Sequence, residues 1–280
     1  MANNKVLLID KLISEGWFSD EKEASAWIMD RKVLVDEQPV FSAKQKVRTE
    51  SIIRIKEYYK TKYVNKGGYK LEGALKQLGI DVNGKIALDC GASTGGFTDC
   101  LLQHGAGMVY AVDVGYGQIA GKLAVDPRVV NLEKTNINSE QLLHLNPKPD
   151  MITLDLSYLS LRKAVPICKE ILHGCGTIVA LIKPLFEVDS SEIRRTGVMN
   201  DYDTLYQCIT ELCSFFVKKR MRILGITYSP IRGNNGTTEY FIHLSCENNE
   251  NRTNRTDGSL EQQIHDIIVH SLSIGKFVKK

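Results

Sequence analysis

The sequence predicts a doubly wound α/β fold preceded by a small α+β domain. Two observations predict the larger fold. Short apolar runs alternate with helical stretches from about residue 70 onward, and a glycine-rich segment joins the first of these runs to the helix that follows it. The smaller domain is predicted by the order of apolar patterns before it, two helices followed by short strands.

Residues 1–58 are predicted to form the smaller domain. Gly16 ends an apolar pattern of helical spacing, which consists of Val6, Leu7, Leu8, Leu12 and Ile13. A second helix is predicted to begin after Ser19, a residue type that is favoured at helix N-caps. The predicted strands of this domain are 33–35, a strand that starts at 40–41, and 51–55. Residues 59–66 are predicted to be an exposed linker to the second domain.

Residues 67–246 are predicted to form the larger domain around a mostly parallel sheet. Its apolar runs are continuous, which is typical of strands that are buried on both faces. The predicted strands are 86–89, 109–113, 151–155, 177–182, 222–228 and 239–244. Intervening helices such as 96–103 indicate a Rossmann-like topology, and the last two strands are predicted to form an antiparallel edge hairpin. Residues 247–280 are predicted to be a flexible linker followed by a short helix.

The composition excludes several classes of protein. With 43% hydrophobic and 25% charged residues, the chain of 280 residues resembles an ordinary globular protein. No apolar run approaches the roughly 20 residues that span a bilayer, and the N-terminus lacks a secretory signal pattern, so we expect a cytoplasmic protein without a membrane partner. The seven cysteines are odd in number and include no Cys-x-x-Cys pair. We therefore expect reduced structural cysteines and no metal site.

Positive charge is concentrated in one part of the chain. The net charge is only +3, but residues 42–70 contain nine basic and two acidic side chains, a net charge of +7. Such a stretch is complementary to a phosphate backbone. A solvated linker rich in lysine would have the same composition, so charge alone leaves both interpretations open.

A glycine-rich loop follows the first predicted strand of the larger domain. Residues 89–98 read Asp-Cys-Gly-Ala-Ser-Thr-Gly-Gly-Phe-Thr and open a predicted helix. Glycine lets the backbone pass close to a ligand, and a helix N-terminus offers free N–H groups. The spacing differs from the dinucleotide and Walker motifs. Asp113 ends the next strand, where a carboxylate can accept both hydroxyls of a ribose. The alternative to a cofactor loop is a tight structural turn.

Four charged residues are predicted at strand ends or in loops beside one crevice. Asp155 and Lys183 each end a buried strand, Lys70 lies at the start of the larger domain, and Glu239 opens the last strand. Each has an ordinary structural interpretation, such as an exposed lysine or a helix-capping aspartate. Open α/β sheets nevertheless build their sites at the carboxyl ends of strands, so these residues are candidates for catalysis.

These segments together resemble a known family. The loop at 89–98 is similar to the S-adenosylmethionine loop of FtsJ-like RNA 2′-O-methyltransferases, and the four charged residues resemble the Lys-Asp-Lys-Glu tetrad of those enzymes. The chain also resembles the TlyA family, once called hemolysins, whose members are rRNA cytidine 2′-O-methyltransferases. The strings that match that family in order include Gly-Gly-Tyr-Lys-Leu at 67–71, Asp-Val-Gly-Tyr-Gly-Gln at 113–118 and Ile-Lys-Pro-Leu-Phe-Glu at 182–187.

The resemblance implies a Rossmann-like methyltransferase domain with S-adenosylmethionine as cofactor and RNA, above all rRNA, as partner. Lys183 is expected to take the proton of the ribose hydroxyl, for which its amine must be neutral, and burial or the nearby charge of Lys70 would favour that form. Asp155 and Glu239 are expected to hold the two ammonium groups, with Asp155 closest to the sulfonium. The expected cofactor-binding residues are Asp89, Gly91, Ser93, Thr94, Gly95, Gly96, Phe97, Asp113, Asn136 and Asp155.

The order of elements over residues 5–57 resembles a small RNA-binding fold. That fold is shared by a small-subunit ribosomal protein, several pseudouridine synthases and tyrosyl-tRNA synthetases. The resemblance implies that basic residues of this module and of the segment after it contact RNA. The expected RNA-binding residues are Lys22, Arg31, Lys32, Lys44, Lys46, Arg48 and Lys66.

Two other functions are compatible with parts of the sequence. A non-catalytic RNA-binding or ribosome-assembly factor could retain the same fold, and segments 119–124 and 133–138 lack arginines that the family usually has there. A membrane-active protein is suggested by the older family name, for which the short tail after residue 264 is the amphipathic candidate.

Overall fold

The computed structural model describes residues 5–18, 20–29, 31–55, 62–157, 159–188, 199, 201–233, 236–247 and 257–273 of the chain. The chain divides into two compact units, residues 1–61 and residues 62–280.

The first unit is a small α+β module. Its helices are α1 (Leu8–Ser14) and α2 (Glu21–Met29). Its strands are β1 (Lys5–Leu7), β2 (Val33–Val35), β3 (Gln38–Pro39), β4 (Lys46–Arg48) and β5 (Ile53–Ile55). Strand β2 pairs antiparallel with β3 and β5, and β1 pairs antiparallel with β4. Leu8, Leu12 and Ile28 of the helices are buried with Val33 of β2 in one apolar core.

The beginning of this unit differs from the prediction. Val6 and Leu7 belong to β1 rather than to the first helix, because this segment pairs with β4, and such tertiary pairing overrides a local helical pattern. Helix α2 is capped by Asp20, whose Oδ1 accepts a hydrogen bond from the Glu23 N–H at 2.8 Å. Ser19, the predicted N-cap, lies outside the described residues. The strand predicted at 40–41 is wrong, since β3 lies two residues earlier.

The second unit is built on a seven-stranded sheet. Its strands are β6 (Ile86–Cys90), β7 (Met108–Val112), β8 (Val129–Leu132), β9 (Met151–Leu154), β10 (Thr177–Ile182), β11 (Arg222–Tyr228) and β12 (Tyr240–Ser245). They lie in the order β11-β12-β10-β9-β6-β7-β8. The strands from β6 to β10 pair in parallel, and β12 is antiparallel to both of its neighbours.

The helices described in this unit cover both faces of the sheet. They are α3 (Lys66–Leu78), α4 (Gly96–Gln103), α5 (Gly121–Ala124), α6 (Leu161–Ile171), α7 (Pro184–Glu187), α8 (Tyr202–Lys218) and α9 (Asp257–Ser273), with a 3-10 turn at Glu140–His144. Leu71 of α3 packs in the same cluster as Ala87 of β6, whereas Leu212 of α8 packs in the same cluster as Leu88. Because neighbouring residues of a strand face opposite sides, these clusters lie on the two faces. The parallel strands and the helices on both faces confirm the predicted doubly wound α/β fold.

Two details of the sheet differ from the prediction. The predicted hairpin of β11 and β12 is present, but β12 lies between β10 and β11, so β11 is the edge strand. Strand β8 was not predicted, because its residues are only partly buried and lack a continuous apolar run. Its place beside β7 forms the opposite edge of the sheet.

The linker predicted at 59–66 differs from the structure at its end. Tyr63 is fully buried, and Asn65 is the N-cap of α3, with its Oδ1 accepting from the Gly67 N–H at 2.6 Å. Lys66 is therefore the first residue of a helix. A preferred N-cap residue stands directly before this helix, but the two glycines that follow Lys66 disfavour helix and obscure its start. Residues 59–61 lie outside the described residues.

The C-terminal helix is longer than predicted and belongs to the second unit. Helix α9 spans Asp257–Ser273, whereas the sequence indicated a short helix near residues 264–272. Ile264 and Ile268 are buried in the core that also contains residues of β11 and α8. The linker predicted before it falls largely on residues 248–256, which lie outside the described part of the chain.

Across the segments that the structure describes, no helix combines the length and apolar character needed to cross a bilayer. Six of the seven cysteines are buried, and Cys175 is exposed.

Candidate active site

The candidate site lies at the carboxyl edge of the parallel strands. Strands β6, β9 and β10 are neighbours in the sheet, so the loops that follow them meet at one edge. A cavity of about 700 Å³ opens there. Its walls come from those three loops, from the first turns of α3 and from the loop before β12.

Two ion pairs line this cavity. Lys183 Nζ lies 2.6 Å from Asp155 Oδ1, and Lys70 Nζ lies 2.6 Å from Glu239 Oε2. Lys183 Nζ also donates to the Ser157 hydroxyl at 3.2 Å. All four charged side chains are largely buried, so water screens these pairs less than it screens pairs on the surface. The structure therefore brings the four predicted catalytic residues together around one space.

Local chain geometry places each member of these pairs. Lys183 follows the last residue of β10, and Pro184 begins the short helix α7, which turns the chain away from the sheet at that point. Lys70 is in the second turn of α3, whose start is fixed by the Asn65 cap. Glu239 directly precedes β12 and faces Gly233, where a Cβ atom would lie only 2.2 Å from Glu239 Oε1.

Burial shapes the electrostatics of Glu239. Desolvation raises the pKa of its carboxyl, while the neighbouring Lys70 ammonium opposes that rise. Asp155 adds a like charge and Lys183 an opposite charge to the surroundings of Glu239, so the two ion pairs influence each other. The site is thus a compact group of two cations and two anions.

The glycine loop approaches the cavity with little room for side chains. Gly91 has φ +85°, and a Cβ there would lie 2.5 Å from the carbonyl oxygen of Asp155. At Gly96, the first residue of α4, a Cβ would lie 2.0 Å from Asn65 Oδ1. Gly95 is the N-cap of α4 with φ +97°. The buried ring of Phe97 closes the wall and lies 6.0 Å from the ring of Phe241.

Asp113 reaches the glycine loop from the end of β7. Its Oδ2 accepts from the Ser93 N–H at 2.8 Å, and its Oδ1 accepts from the Gly115 N–H at 2.7 Å. Each carboxylate oxygen keeps a further lone pair for a ligand. The side chain is held beside Ser93, which itself lines the cavity.

Several predicted cofactor residues do not line the cavity. Asp89 is fully buried, and its two oxygens accept from the Thr98 hydroxyl at 2.7 Å and the Thr153 hydroxyl at 2.9 Å. Both oxygens of this carboxylate are thus occupied beneath the loop, and its expected contact with the cofactor stays a prediction. Thr94 Oγ1 accepts from Asn65 Nδ2 at 2.6 Å, and Asn136 Oδ1 accepts from the Asn138 N–H at 3.0 Å.

The predicted RNA-binding residues are divided between the units. Lys66 is exposed at the mouth of the cavity in the second unit. In the first unit, Lys46 and Arg48 are exposed on either side of the buried Val47 of β4. Lys22 and Lys44 are exposed as well. Two others lie over aromatic rings, Arg31 at 5.2 Å from the centre of the Phe41 ring and Lys32 at 5.0 Å from that of Trp27.

Four residues at or near the cavity were not predicted as site residues from the sequence. Asn65, Ser157 and Gly233 line the cavity, and Glu187 is buried at the end of helix α7. An N-cap signal at Asn65 could have been read from the sequence. Glu187 ends the family-like string at 182–187, but the contacts of Ser157 and Glu187 join loops that are distant in sequence, so no local pattern predicts them.

The chain is similar to proteins of one methyltransferase family. The sequence model of the FtsJ-like methyltransferase family matches residues 63–246, more than half of the chain. The 16S/23S rRNA (cytidine-2′-O)-methyltransferase TlyA of Mycobacterium tuberculosis is 34% identical over 241 residues, which cover 85% of this chain and 88% of that protein. Hemolysin A of Brachyspira hyodysenteriae is 37% identical over 232 residues, with 82% and 96% covered. A solved structure described as a hemolysin from Streptococcus thermophilus has a TM-score of 0.69 and 30% identity, with 96% of each chain covered.

Proposed function

Because the chain belongs to the FtsJ-like methyltransferase family, we propose that it transfers a methyl group from S-adenosylmethionine to a ribose 2′-hydroxyl of rRNA. The observation that carries this proposal is the arrangement of two ion pairs, Lys183 with Asp155 and Lys70 with Glu239, that face one cavity beside the glycine loop. The relative TlyA is named for methylation of cytidine in 16S and 23S rRNA, and we propose cytidine as the target here.

The residues around the loop suit S-adenosylmethionine. Gly91 and Gly96 leave backbone open to the cavity, and Asp113 offers a carboxylate that suits ribose hydroxyls. Asp155 gives the wall a negative charge that is complementary to a sulfonium. When bound, the cofactor supplies a methyl group on a positively charged sulfur. We assign its binding to these four residues together with Ser93.

Lys183 is the proposed proton acceptor. When the bound cofactor supplies its methyl group to the 2′-oxygen, the hydroxyl proton would pass to Lys183 Nζ. Asp155 at 2.6 Å and Ser157 at 3.2 Å hold that nitrogen in place, so its position is set before the substrate arrives. Because only a neutral amine accepts a proton, Lys183 has to release its own proton to solvent before each turnover.

The second ion pair has a supporting role in the proposal. The Lys70 ammonium stabilises negative charge that develops on the 2′-oxygen, and Glu239 fixes that ammonium at 2.6 Å. A buried pair of this kind needs no rearrangement when the reaction begins. The basic residues of the first unit, together with Lys66 at the cavity mouth, are proposed to bind the RNA backbone.

The test is methyl transfer to ribosomal subunits purified from cells that lack the gene. Lys183→Ala should abolish transfer and leave calorimetric binding of S-adenosylmethionine largely intact. The reason is that Lys183 is proposed to accept the proton of the ribose hydroxyl and is not among the residues proposed to bind the cofactor. Lys163→Ala, at an exposed position of α6, serves as the control and should keep full activity. Cofactor binding without transfer by the wild-type protein would favour a non-catalytic RNA-binding factor. Full activity in Lys183→Ala would overturn the assignment of the proton acceptor.

A further inference from the structure

Glu187 is a buried carboxylate that the proposed reaction does not use. Its side chain is only 1% exposed, and it ends the short helix α7 that begins directly after Lys183. An ionised carboxylate is costly to bury unless several donors satisfy it. Its contacts therefore indicate what the chain gains from placing it there.

Within the described part of the chain, the donors to Glu187 come from the N-cap and the first turn of α6. Its Oε1 accepts from the Leu161 N–H at 2.7 Å, and its Oε2 accepts from the Ser160 hydroxyl at 2.7 Å. Arg162 donates from Nη1 to the Glu187 carbonyl at 2.7 Å and lies 3.4 Å from Oε2. Ser160 is also the N-cap of α6, so Glu187 holds the point at which that helix begins.

These contacts join two active-site segments at both of their ends. Segment 155–160 lies between β9 and α6 and is described except for residue 158, and residues 183–187 follow β10. At the cavity, Lys183 Nζ meets Asp155 and Ser157. At the far end, Glu187 meets Ser160 and the residues after it. A second contact outside the cavity, that of Glu187, thus also restricts the position of Lys183 relative to Asp155.

We propose that Glu187 is a positioning residue that sets the geometry of the Lys183–Asp155 pair by tying segment 183–187 to segment 155–160. This inference rests on the proposed methyl transfer. A displacement of about 1 Å in a reacting group can slow catalysis by about 100-fold. The residues that bind the cofactor and the RNA keep their positions when only the reacting group moves. Loss of the contacts between Glu187 and residues 160–162, which we call the Glu187 tie, should therefore lower kcat and leave KM and cofactor affinity unchanged.

The first experiment compares Glu187→Gln with Glu211→Gln. The control residue Glu211 is 58% exposed, and its Oε2 lies 3.7 Å from Nη2 of the same Arg162. Its substitution by Gln therefore removes an equivalent negative charge near Arg162 and leaves the contacts of Glu187 with Ser160 and Leu161 in place. We expect Glu187→Gln to lower kcat by about tenfold or more, with unchanged KM for ribosomal subunits and unchanged calorimetric affinity for S-adenosylmethionine. The control should retain wild-type kcat. Wild-type kcat in Glu187→Gln would overturn the proposal.

A second variant guards against simple unfolding. Ser160→Ala removes one donor to Glu187 and should also lower kcat. The double variant should have a kcat no lower than that of Glu187→Gln alone, because both changes remove the same contact. A loss in the double variant equal to the product of the single losses would contradict a shared tie.

The tie also has a readout that needs no catalysis. In protein labelled with ¹³C at lysine Cε, the Lys183 resonance, assigned with Lys183→Arg, should shift in Glu187→Gln and stay unchanged in Glu211→Gln. An unmoved resonance would overturn the positioning role. If the wild-type protein transfers no methyl group, the proposed function fails, while this resonance still tests whether Glu187 sets the position of Lys183.

Discussion

Asp89 belongs to the glycine loop in sequence but to the interior of the sheet in space. Its carboxylate joins β6 to α4 through Thr98 and to β9 through Thr153. It therefore supports the loop from below, whereas Asp113 accepts a hydrogen bond from the Ser93 N–H of the same loop from the end of β7. Burial is the first cause of a raised pKa for Asp89, from 3.8 to about 6, although the two hydroxyl donors oppose it.

The raised pKa of Asp89 predicts a pH dependence of stability. The folded protein binds this proton more tightly than the unfolded chain, so the contribution to the free energy of unfolding is greatest below pH 4 and is lost as the pH rises to about 6. The shift corresponds to about 3 kcal/mol. Asp89→Asn should remove that part of the slope between pH 4 and 6 in urea unfolding curves. The exposed Asp81→Asn is the control, and an equal change in both variants would contradict the prediction.

The backbone conformation of Gly91 predicts that the glycine loop does not tolerate a side chain there. Its positive φ and the nearby Asp155 carbonyl both exclude a side chain, so Gly91→Ala should reduce stability and weaken calorimetric binding of S-adenosylmethionine. Gly79→Ala is the matched control, because Gly79 also has a positive φ but no heavy atom within 4 Å of the position that a Cβ would occupy. The control should lose about 1–2 kcal/mol of stability and keep its cofactor affinity. Equal affinities of the two variants for the cofactor would count against a cofactor loop at Gly91.

The start of α3 shows what an element-level pattern leaves out. The sequence predicts an exposed linker at 59–66, yet Tyr63 is buried and Asn65 caps the helix. The glycines that disfavour helix are needed there for close packing: a Cβ on Gly68 would lie 2.2 Å from Tyr63 Cγ. Helix propensity and tertiary packing conflict at this point, and packing decides the outcome. This helix carries Lys70 into the cavity.

Helix α9 is an integral part of the second unit, which leads to a prediction about its packing. Ile268 is fully buried in the core, while its neighbour Val269 is 47% exposed. Ile268→Ala should lower the free energy of unfolding by about 2–5 kcal/mol, because it leaves a cavity in a packed core. Val269→Ala should have a much smaller effect. Urea unfolding of both variants makes the comparison, and similar small losses would indicate a detached C-terminal helix.

Across the whole chain, the elements that could be predicted are those that leave a local apolar pattern in the sequence. Apolar runs located every strand of the large sheet except β8 to within a residue or so, because buried strands need such runs. The rule that sites form at the carboxyl ends of strands then identified Asp155 and Lys183 as candidates from the sequence alone. Strand β8 and the Glu187 tie were missed, since partial burial and contacts between distant loops leave no periodic signal.

The first unit leads to a prediction about RNA binding by the whole protein. Lys46 and Arg48 point to the same exposed side of β4, because the buried Val47 separates them and strand residues alternate. Changing both to Ala should weaken RNA binding and reduce the slope of log K against log salt concentration by about 1 for each lost phosphate contact. At saturating RNA, kcat should stay unchanged, because these residues lie in a different unit from the cavity. Lys76→Ala, at an exposed position of α3, is the control and should keep the wild-type slope. An unchanged slope in the double variant would mean that this strand does not contact the phosphate backbone.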